Sequence, residues 1–505
     1  MKEKKELLIN FICIISAFLV NALINFFLSS YIVNTVSEEA YGFTQLANTF
    51  ISYFTIITLA INSMASRFIS IEYHKKNMEE AKSYYSATFW ANLILVLIVT
   101  PIIIFLIVNL ESFIQISDNL VNDVKILFAF LTGNLLLGLL TTNLSVSYYI
   151  KNKLYIQSVI NMISYCLKAV LLYVVYIIFP PYIAFVGLAM LLATAFIQGC
   201  NLYYKNKLIS DIKIGKFEFK KIKILFVSGI WNSITRIGTI LSEGLDLLIT
   251  NLFLDPVSMG ILAIVKIIPN VIGSVLNNLV TIFMPSMLKV YAQDTKEKLK
   301  KTIKEAMRFV GIFLNIPIIC LIVLGDVLFS LWFPTQDANL LLILSIISIS
   351  HWIVIGPASI IHNVFTVINK IKINSILVCI TGVINVLIVY ILLKTTNLGI
   401  YAVVGVSTFL SIIRNLIYTL PFGAKYLEFD WKVFFPEIFK SLISVIINVV
   451  IGYIIKFIFV PSTWFELLLV GVLLCIISFV INCLVSFTKE EIKNLLNKFK
   501  NLRRC

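Results

Sequence analysis

Fourteen apolar stretches of about 20 to 30 residues fill most of this 505-residue chain, and that single pattern fixes the solvent in which it folds. A run of about 20 apolar residues crosses the roughly 30 Å hydrocarbon core of a bilayer as a helix. With 59% hydrophobic residues, the chain has little left from which to build a water-soluble domain. Inside the bilayer every backbone amide has to be satisfied within its own segment, which selects helices. The expected fold is therefore an all-α polytopic membrane protein with about 14 transmembrane helices. The stretches run over about 8–31, 43–65, 87–109, 125–147, 156–179, 182–204 and 224–252. Seven more cover about 261–285, 309–332, 339–367, 373–393, 399–422, 438–460 and 464–487.

Charge placement predicts the orientation, because Lys and Arg in short loops resist translocation. Alternate segments hold most of the 41 basic residues: Lys2, Lys4 and Lys5, then Arg67 to Lys82, Lys151 with Lys153, and the run from Lys205 to Lys223. The series continues with Lys289 to Arg308, Lys370 with Lys372, Lys425 with Lys432, and the tail from Lys489 to Arg504. The intervening loops carry carboxylates instead, among them Glu38, Glu39, Glu111, Asp118, Asp255, Asp337 and Glu466. Both termini are expected in the cytoplasm, with the protein in the cytoplasmic (inner) membrane. The net charge of +15 is then a consequence of topology, spread over eight short segments, and nucleic acid is not expected as a partner. The N-terminal apolar run is longer than a signal-peptide core and no small-residue cleavage site follows it, so a retained first helix is expected. The eight cysteines sit mostly within spans with no CxxC pairing, which predicts small buried apolar residues and no metal site.

An internal repeat with an offset of about 214 to 220 residues is visible. The stretch from Pro101 to Val108 recurs at Pro317 to Leu324. Asn152 to Ser158 recurs at Asn369 to Ser375, and Asn201 to Tyr204 at Asn415 to Tyr418. The outer turns from Val36 to Gly42 and from Val257 to Gly260 correspond loosely. Six helices per half is an even number, so the halves should be related by a pseudo-two-fold axis along the membrane normal. The expected division is an N-lobe at 1–204, a basic cytoplasmic linker at 205–223 and a C-lobe at 224–425. The last two helices, 426–488, fall outside the repeat, and 489–505 forms a basic amphipathic tail.

Charges inside the spans are the best functional clue, since each costs about 2.5 to 3.5 kcal/mol on an insertion scale unless it faces protein or water. The seventh span carries Arg236, Glu243 and Asp246. On an ideal helix Glu243 lies within about 20° of Arg236 and Asp246 about 60° from Glu243, so one face should be polar and turn to a cavity. An ion pair between Arg236 and Glu243 that locks the bundle is the alternative. Lys168 is placed mid-span in the fifth helix, Lys266 in the eighth and Arg414 in the twelfth, while Arg67 closes the second. Arg67 and Arg414 are near enough to the inner interface to snorkel there. Asp326 and Lys456 lie near outer helix ends and read as interfacial residues.

A cavity lined by Arg67, Lys168, Arg236, Lys266 and Arg414 suits an anionic cargo, phosphate or pyrophosphate above all. Glu243 and Asp246 are then candidates to take H+ or Na+ as the coupling ion, with no other cofactor expected. Pro101, Pro269, Pro317 and Pro357 interrupt spans, and Gly229, Gly238 and Gly244 loosen the seventh, as a rocking bundle would use. His351 and His362 are expected as hydrogen-bonded core residues. Two stretches predict amphipathic surface helices on anionic headgroups: 296–310, with its stripe of Leu299, Ile303, Ala306, Met307 and Val310, and the tail opened by Thr488 and Glu491.

The chain resembles the polysaccharide-unit flippases of the multidrug/oligosaccharidyl-lipid/polysaccharide exporter superfamily. The resemblance runs over almost the whole length on soft motifs: Val36-Ser-Glu-Glu-Ala-Tyr-Gly42, Ser66-Arg67-Phe-Ile, Ser228-Gly-Ile-Trp-Asn232, Leu245-Asp-Leu-Leu-Ile-Thr-Asn251 and Asn397-Leu-Gly-Ile-Tyr401. It implies a two-lobed, inverted-V bundle that is a transporter and not an enzyme. Such a bundle moves an undecaprenyl-pyrophosphate-linked oligosaccharide repeat unit to the outer leaflet by alternating access, for polysaccharide biosynthesis in the cell envelope. Its partners would be that lipid-linked anionic oligosaccharide, membrane lipids and the polysaccharide polymerase machinery. In the resemblance Arg67 stands at the position of a second-helix Arg, and Lys266 where an eighth-helix Arg would stand. The first helix offers Asn21 and Asn25 in place of the Arg-Asp pair of lipid II flippases, which favours the O-antigen, capsule or exopolysaccharide branch. A lipid II (peptidoglycan precursor) flippase and a cation-coupled multidrug antiporter are the alternatives. The antiporters usually stop at twelve helices and favour an acidic cavity. A polymerase or ligase would need a larger outer loop than the roughly fifteen residues available here, and a channel would show a repeated pore loop.

Overall fold

The computed structural model describes residues 2–293, 295–368 and 370–487, and among them all regular structure is helical. Thirteen helices are long and apolar enough to cross a membrane, and a bent pair, Glu38–Ile56 with Thr58–His74, supplies a fourteenth span. The protein is a multi-pass membrane protein with the expected order of spans. The tail 489–505 and its opening Thr488 lie outside the described residues.

The helices end where their sequences say they should. Ser37 accepts the Ala40 amide at 3.1 Å to start the second span, and Asp255 accepts the Ser258 amide at 2.8 Å before the eighth. These are the two turns that correspond in the repeat, and they pack directly on each other. A Cβ added to Gly42 would sit 2.8 Å from the Gly260 Cα, and one added to Gly260 would sit 2.4 Å from the Glu38 carbonyl oxygen. Only glycine permits that approach.

By packing, the chain falls into two compact units. The first runs to Ile264 and takes in Val378–Val383; the second holds Val265–Leu377 and the chain from Ile384 onward. In the first unit the seventh span, Phe219–Gly244, packs along the second. Gly229 marks the crossing, because a Cβ there would lie 1.9 Å from the Ala60 carbonyl oxygen. Asn232 donates to the Ser63 hydroxyl at 3.1 Å and Ser233 to the Ile56 carbonyl at 2.7 Å along the same seam. The basic segment after the sixth span is anchored to the third, Met78–Val108. The Trp90 indole donates to the Gly215 carbonyl, the Gly215 amide donates to Ser86, and Lys221 pairs with Glu80. Ile209 and Ile212 are buried beside Tyr84 and Tyr85.

In the second unit the thirteenth and fourteenth spans, Phe435–Ile458 and Trp464–Ser486, both pack on the ninth, Lys296–Trp332. With no hydrophobic drive between helices in lipid, small polar side chains hold such contacts. Asn482 donates to the Ile312 carbonyl at 2.9 Å and accepts from Asn448 at 2.9 Å, and Asn315 donates to Ser441 at 3.0 Å. Arg308 grips Glu437 with two nitrogens at 2.8 and 3.1 Å near one end of the ninth span. Near its other end Lys456 holds Asp326 at 2.6 Å.

The structure overturns one expectation. The stripe Leu299, Ile303, Ala306, Met307 and Val310 does not lie on the membrane surface. It is buried, because 296–310 is the first four turns of the ninth span itself, and its partner is protein. Asp326 and Lys456, each near a helix end, form one ion pair that ties the ninth span to the thirteenth.

Candidate functional site: a bent seventh span and its cations

Two adjoining helices of the first unit are deformed, and their chemistry explains why. In the second span hydroxyl residues recur every third position. Thr49 donates to the Gln45 carbonyl, Ser52 to Thr49, Thr55 to Ser52 and Thr58 to Thr55, at 2.6 to 2.9 Å. Hydroxyls that bond back into the carbonyl ladder loosen and bend a helix. The second span turns by 66° between Ile56 and Thr58. Ser233 supplies a donor to the Ile56 carbonyl at that bend.

The seventh span opens into a π-helical turn at Ile240–Gly244, closed by the Leu245 amide on the Ile240 carbonyl at 3.0 Å. Tyr53 from the second span donates its hydroxyl to the Gly244 carbonyl at 2.7 Å. A single π turn inserts one residue and rotates everything beyond it by about 100°. The ideal-helix alignment of Arg236 with Glu243 therefore does not survive. Arg236 is half-buried, Glu243 is exposed and Asp246, at 3% exposure, is buried. Among the described residues Arg236 has no ion pair, so it is not locked to Glu243.

The other in-span cations are distributed as follows. Arg67 is exposed on the Thr58–His74 arm of the second span, on the helix face of Ser63. Lys168 is half-buried in the fifth span and donates to the Asn25 side-chain oxygen at 3.0 Å, while Asn25 donates to Asn21 at 3.0 Å. The first-span asparagines thus serve an intramembrane lysine, a partnership that sequence spacing cannot reveal. In the second unit Lys266 occupies the break between helices Pro256–Val265 and Ile267–Gln293. Arg414 ends helix Ile400–Arg414 just before a second π turn, Asn415–Thr419. The first unit holds Arg67, Lys168, Arg236, Glu243 and Asp246; the second holds Lys266 and Arg414.

Sequence reasoning missed Tyr53, Ser233 and the hydroxyl ladder. The three-residue spacing of Thr49, Ser52, Thr55 and Thr58 was the available signal. Partly buried cations beside bendable helices can hold an anion and change their exposure as the helices move.

Fourteen spans built in this way define an all-α multi-pass membrane fold, and solved structures of two kinds of transporter share it. The chain is similar to a structure described as lipid II flippase MurJ, inward closed conformation, with a TM-score of 0.68, 15% identity and coverage of 94% of this chain and 98% of that one. It is also similar to the inward-facing conformation of a multidrug resistance MATE family transporter, with a TM-score of 0.64, 14% identity and coverage of 83% and 98%. The family is more specific still: residues 7–291 match the polysaccharide biosynthesis protein family, and the chain belongs to it. A relative over 98% of both chains, at 25% identity, is the uncharacterized membrane protein EpsK of Bacillus subtilis (strain 168).

Proposed function

We propose that this protein flips an undecaprenyl-pyrophosphate-linked oligosaccharide repeat unit from the inner to the outer leaflet of the cytoplasmic membrane by alternating access. The observation that carries this reading is the excess of cations within the spans. Arg67, Lys168, Arg236, Lys266 and Arg414 stand against Glu243 and Asp246. A half-buried Arg236 without an ion pair is costly in lipid unless an anionic ligand repays it. A pyrophosphate does so, and guanidinium groups are suited to it by their fork of donors. Membership of a polysaccharide biosynthesis family supports a saccharide as the rest of the cargo. In this reading both termini are cytoplasmic, by the distribution of Lys and Arg, and the polymerase machinery receives the product.

Glu243 and Asp246 take the role of ion coupling, with H+ or Na+ as the ion. Asp246 is the better placed, being buried two residues beyond the π turn, where a change of helix shape alters its surroundings. A lipid II flippase is the second reading, favoured by the similarity to MurJ. Against it stands the neutral pair Asn21 and Asn25, occupied with Lys168. A multidrug antiporter is disfavoured by the same excess of cations.

The test is leaflet-resolved quantification of undecaprenyl-linked oligosaccharide in cells depleted of the protein, rescued by wild type or by Arg236→Ala or Lys266→Ala. Inner-leaflet accumulation cleared by wild type and not by the variants is the expected result. No accumulation, with sensitivity to cationic dyes instead, would overturn it in favour of drug export.

A further inference from the structure

The turn between the twelfth and thirteenth spans, in the second unit, forms a pocket of about 530 Å³ lined by Pro421, Phe422, Lys425, Phe429, Asp430 and Trp431. Its walls are fixed by the backbone. Helix Leu420–Tyr426 ends with the Phe429 amide on the Ala424 carbonyl at 3.0 Å and the Glu428 amide on the Lys425 carbonyl at 2.9 Å. That pattern demands a left-handed residue, and Glu428 supplies it at φ 61°. A non-glycine residue there costs about 1 kcal/mol or more. Its carboxylate is held by Lys296 of the ninth span. The rings pack on neighbours: Tyr418 meets Phe422 at a tilt with centroids 4.9 Å apart, and Trp431 meets Phe435 edge-on at 5.7 Å.

Three ammonium groups stand over three of these rings: Lys432 over Trp431 at 5.0 Å, Lys300 over Phe429 at 5.5 Å and Lys425 over Phe422 at 6.0 Å. Lys296 and Lys300 are neutralised by Glu428 and Glu297. Lys425 and Lys432 have no carboxylate partner among the described residues. The Asp430 carboxylate is turned to the chain, accepting the Lys432 amide at 2.9 Å. Trp431 is 53% exposed and Phe422 40%, at the ends of two spans where aromatic side chains meet the headgroup layer.

We infer that this pocket binds the phosphate of a membrane amphiphile, with Lys425 and Lys432 as its charge partners and Trp431 and Phe422 against the start of the apolar chain. Two sources carry that chemistry: the phosphodiester of an anionic phospholipid and the diphosphate of a prenyl carrier. The two cations stand over ring faces with no carboxylate partner among the described residues, so a phosphate meets them without breaking an ion pair. Each such lysine near the membrane surface contributes about fivefold to affinity for an anionic headgroup. Its charges, Lys425 and Lys432, are not among the in-span cations, and the inference stands whether or not the cargo is a saccharide.

Native mass spectrometry of the full chain in detergent would be done with phosphatidylglycerol, phosphatidylcholine and farnesyl diphosphate, on wild type, Lys425→Gln/Lys432→Gln and Lys425→Arg/Lys432→Arg. The expected result is binding of phosphatidylglycerol or farnesyl diphosphate to wild type, about tenfold or more weaker in the Gln variant and kept in the Arg variant. Phosphatidylglycerol alone identifies the phospholipid as the source, and farnesyl diphosphate alone the carrier. Equal binding by wild type and the Gln variant, no binding of either by wild type, or phosphatidylcholine binding as tightly as phosphatidylglycerol would overturn the inference. Thermal unfolding of each variant reports whether the fold is intact.

Discussion

The Tyr53 hydroxyl donates to the Gly244 carbonyl across 2.7 Å, and this one bond joins the deformed stretches of two spans. A π turn frees backbone carbonyls from their usual partners, and in an apolar setting an orphaned carbonyl is costly. Tyr53 meets that need from the neighbouring helix. Tyr53→Phe is expected to destabilise the protein by about 1 kcal/mol and to lower cargo export by several-fold at unchanged protein level. Thermal unfolding together with export measurement checks it; export equal to wild type would show that the bond is incidental.

The crossing of the second and seventh spans has no spare room. With a Cβ at Gly229 only 1.9 Å from the Ala60 carbonyl oxygen, Gly229→Ala has to push the helices apart, at about 1 to 3 kcal/mol. Gly405 has nothing within 4 Å of an added Cβ and lies in a helix interior, so Gly405→Ala should be neutral or stabilising by up to about 1 kcal/mol. Comparing the two unfolding midpoints separates crowding from a general intolerance of alanine.

The two ion pairs of the ninth and thirteenth spans differ in burial and should differ in worth. The Arg308 and Glu437 side chains are 12% and 2% exposed, against 18% and 39% for Lys456 and Asp326. Glu437 also meets Lys440 at 3.5 Å, so Glu437→Gln takes the buried carboxylate charge from two cations and is expected to cost about 3 to 5 kcal/mol. Asp326→Asn should cost about 1 kcal/mol or less. Unfolding in detergent, compared across the two variants, reads the difference directly.

Lys168 tests whether the asparagines of the first span have a functional role. Lys168→Met removes the charge yet keeps the apolar stem, so fold and protein level should hold while export falls by about tenfold or more. Asn25→Leu removes the acceptor and should mimic it more weakly, since Lys168 keeps its charge. Surface polysaccharide measured against protein level distinguishes this from simple loss of the protein.

Much of the fold is legible in the sequence because one physical requirement, about 20 apolar residues per crossing, writes itself on every span. The bend at Ile56 and the π turn at Ile240 to Gly244 are less visible, since both arise from which carbonyls lose their partners. Projecting Glu243 onto Arg236 fails for that reason: a wheel assumes a regular helix between them. Depth along a span also proved a poor guide to partners. Asp326 and Lys456 sit near helix ends and pair with each other, while Asn25 looks unremarkable in sequence and meets Lys168, 143 positions away. The stripe from Leu299 to Val310 is amphipathic as its spacing says, but spacing alone does not distinguish a protein partner from a membrane surface.

The central claim is movement of a pyrophosphate-linked saccharide across the bilayer. The most direct measurement is reconstitution of the purified full chain into vesicles loaded with a fluorescent undecaprenyl-pyrophosphate-linked oligosaccharide, following the fraction accessible to an added glycosidase. Wild type should expose the inner-leaflet pool well above empty vesicles, and Arg236→Ala should leave most of it protected at the same protein density. A protected fraction equal in wild-type and empty vesicles, under an imposed H+ gradient, under an imposed Na+ gradient and with neither, would contradict the account.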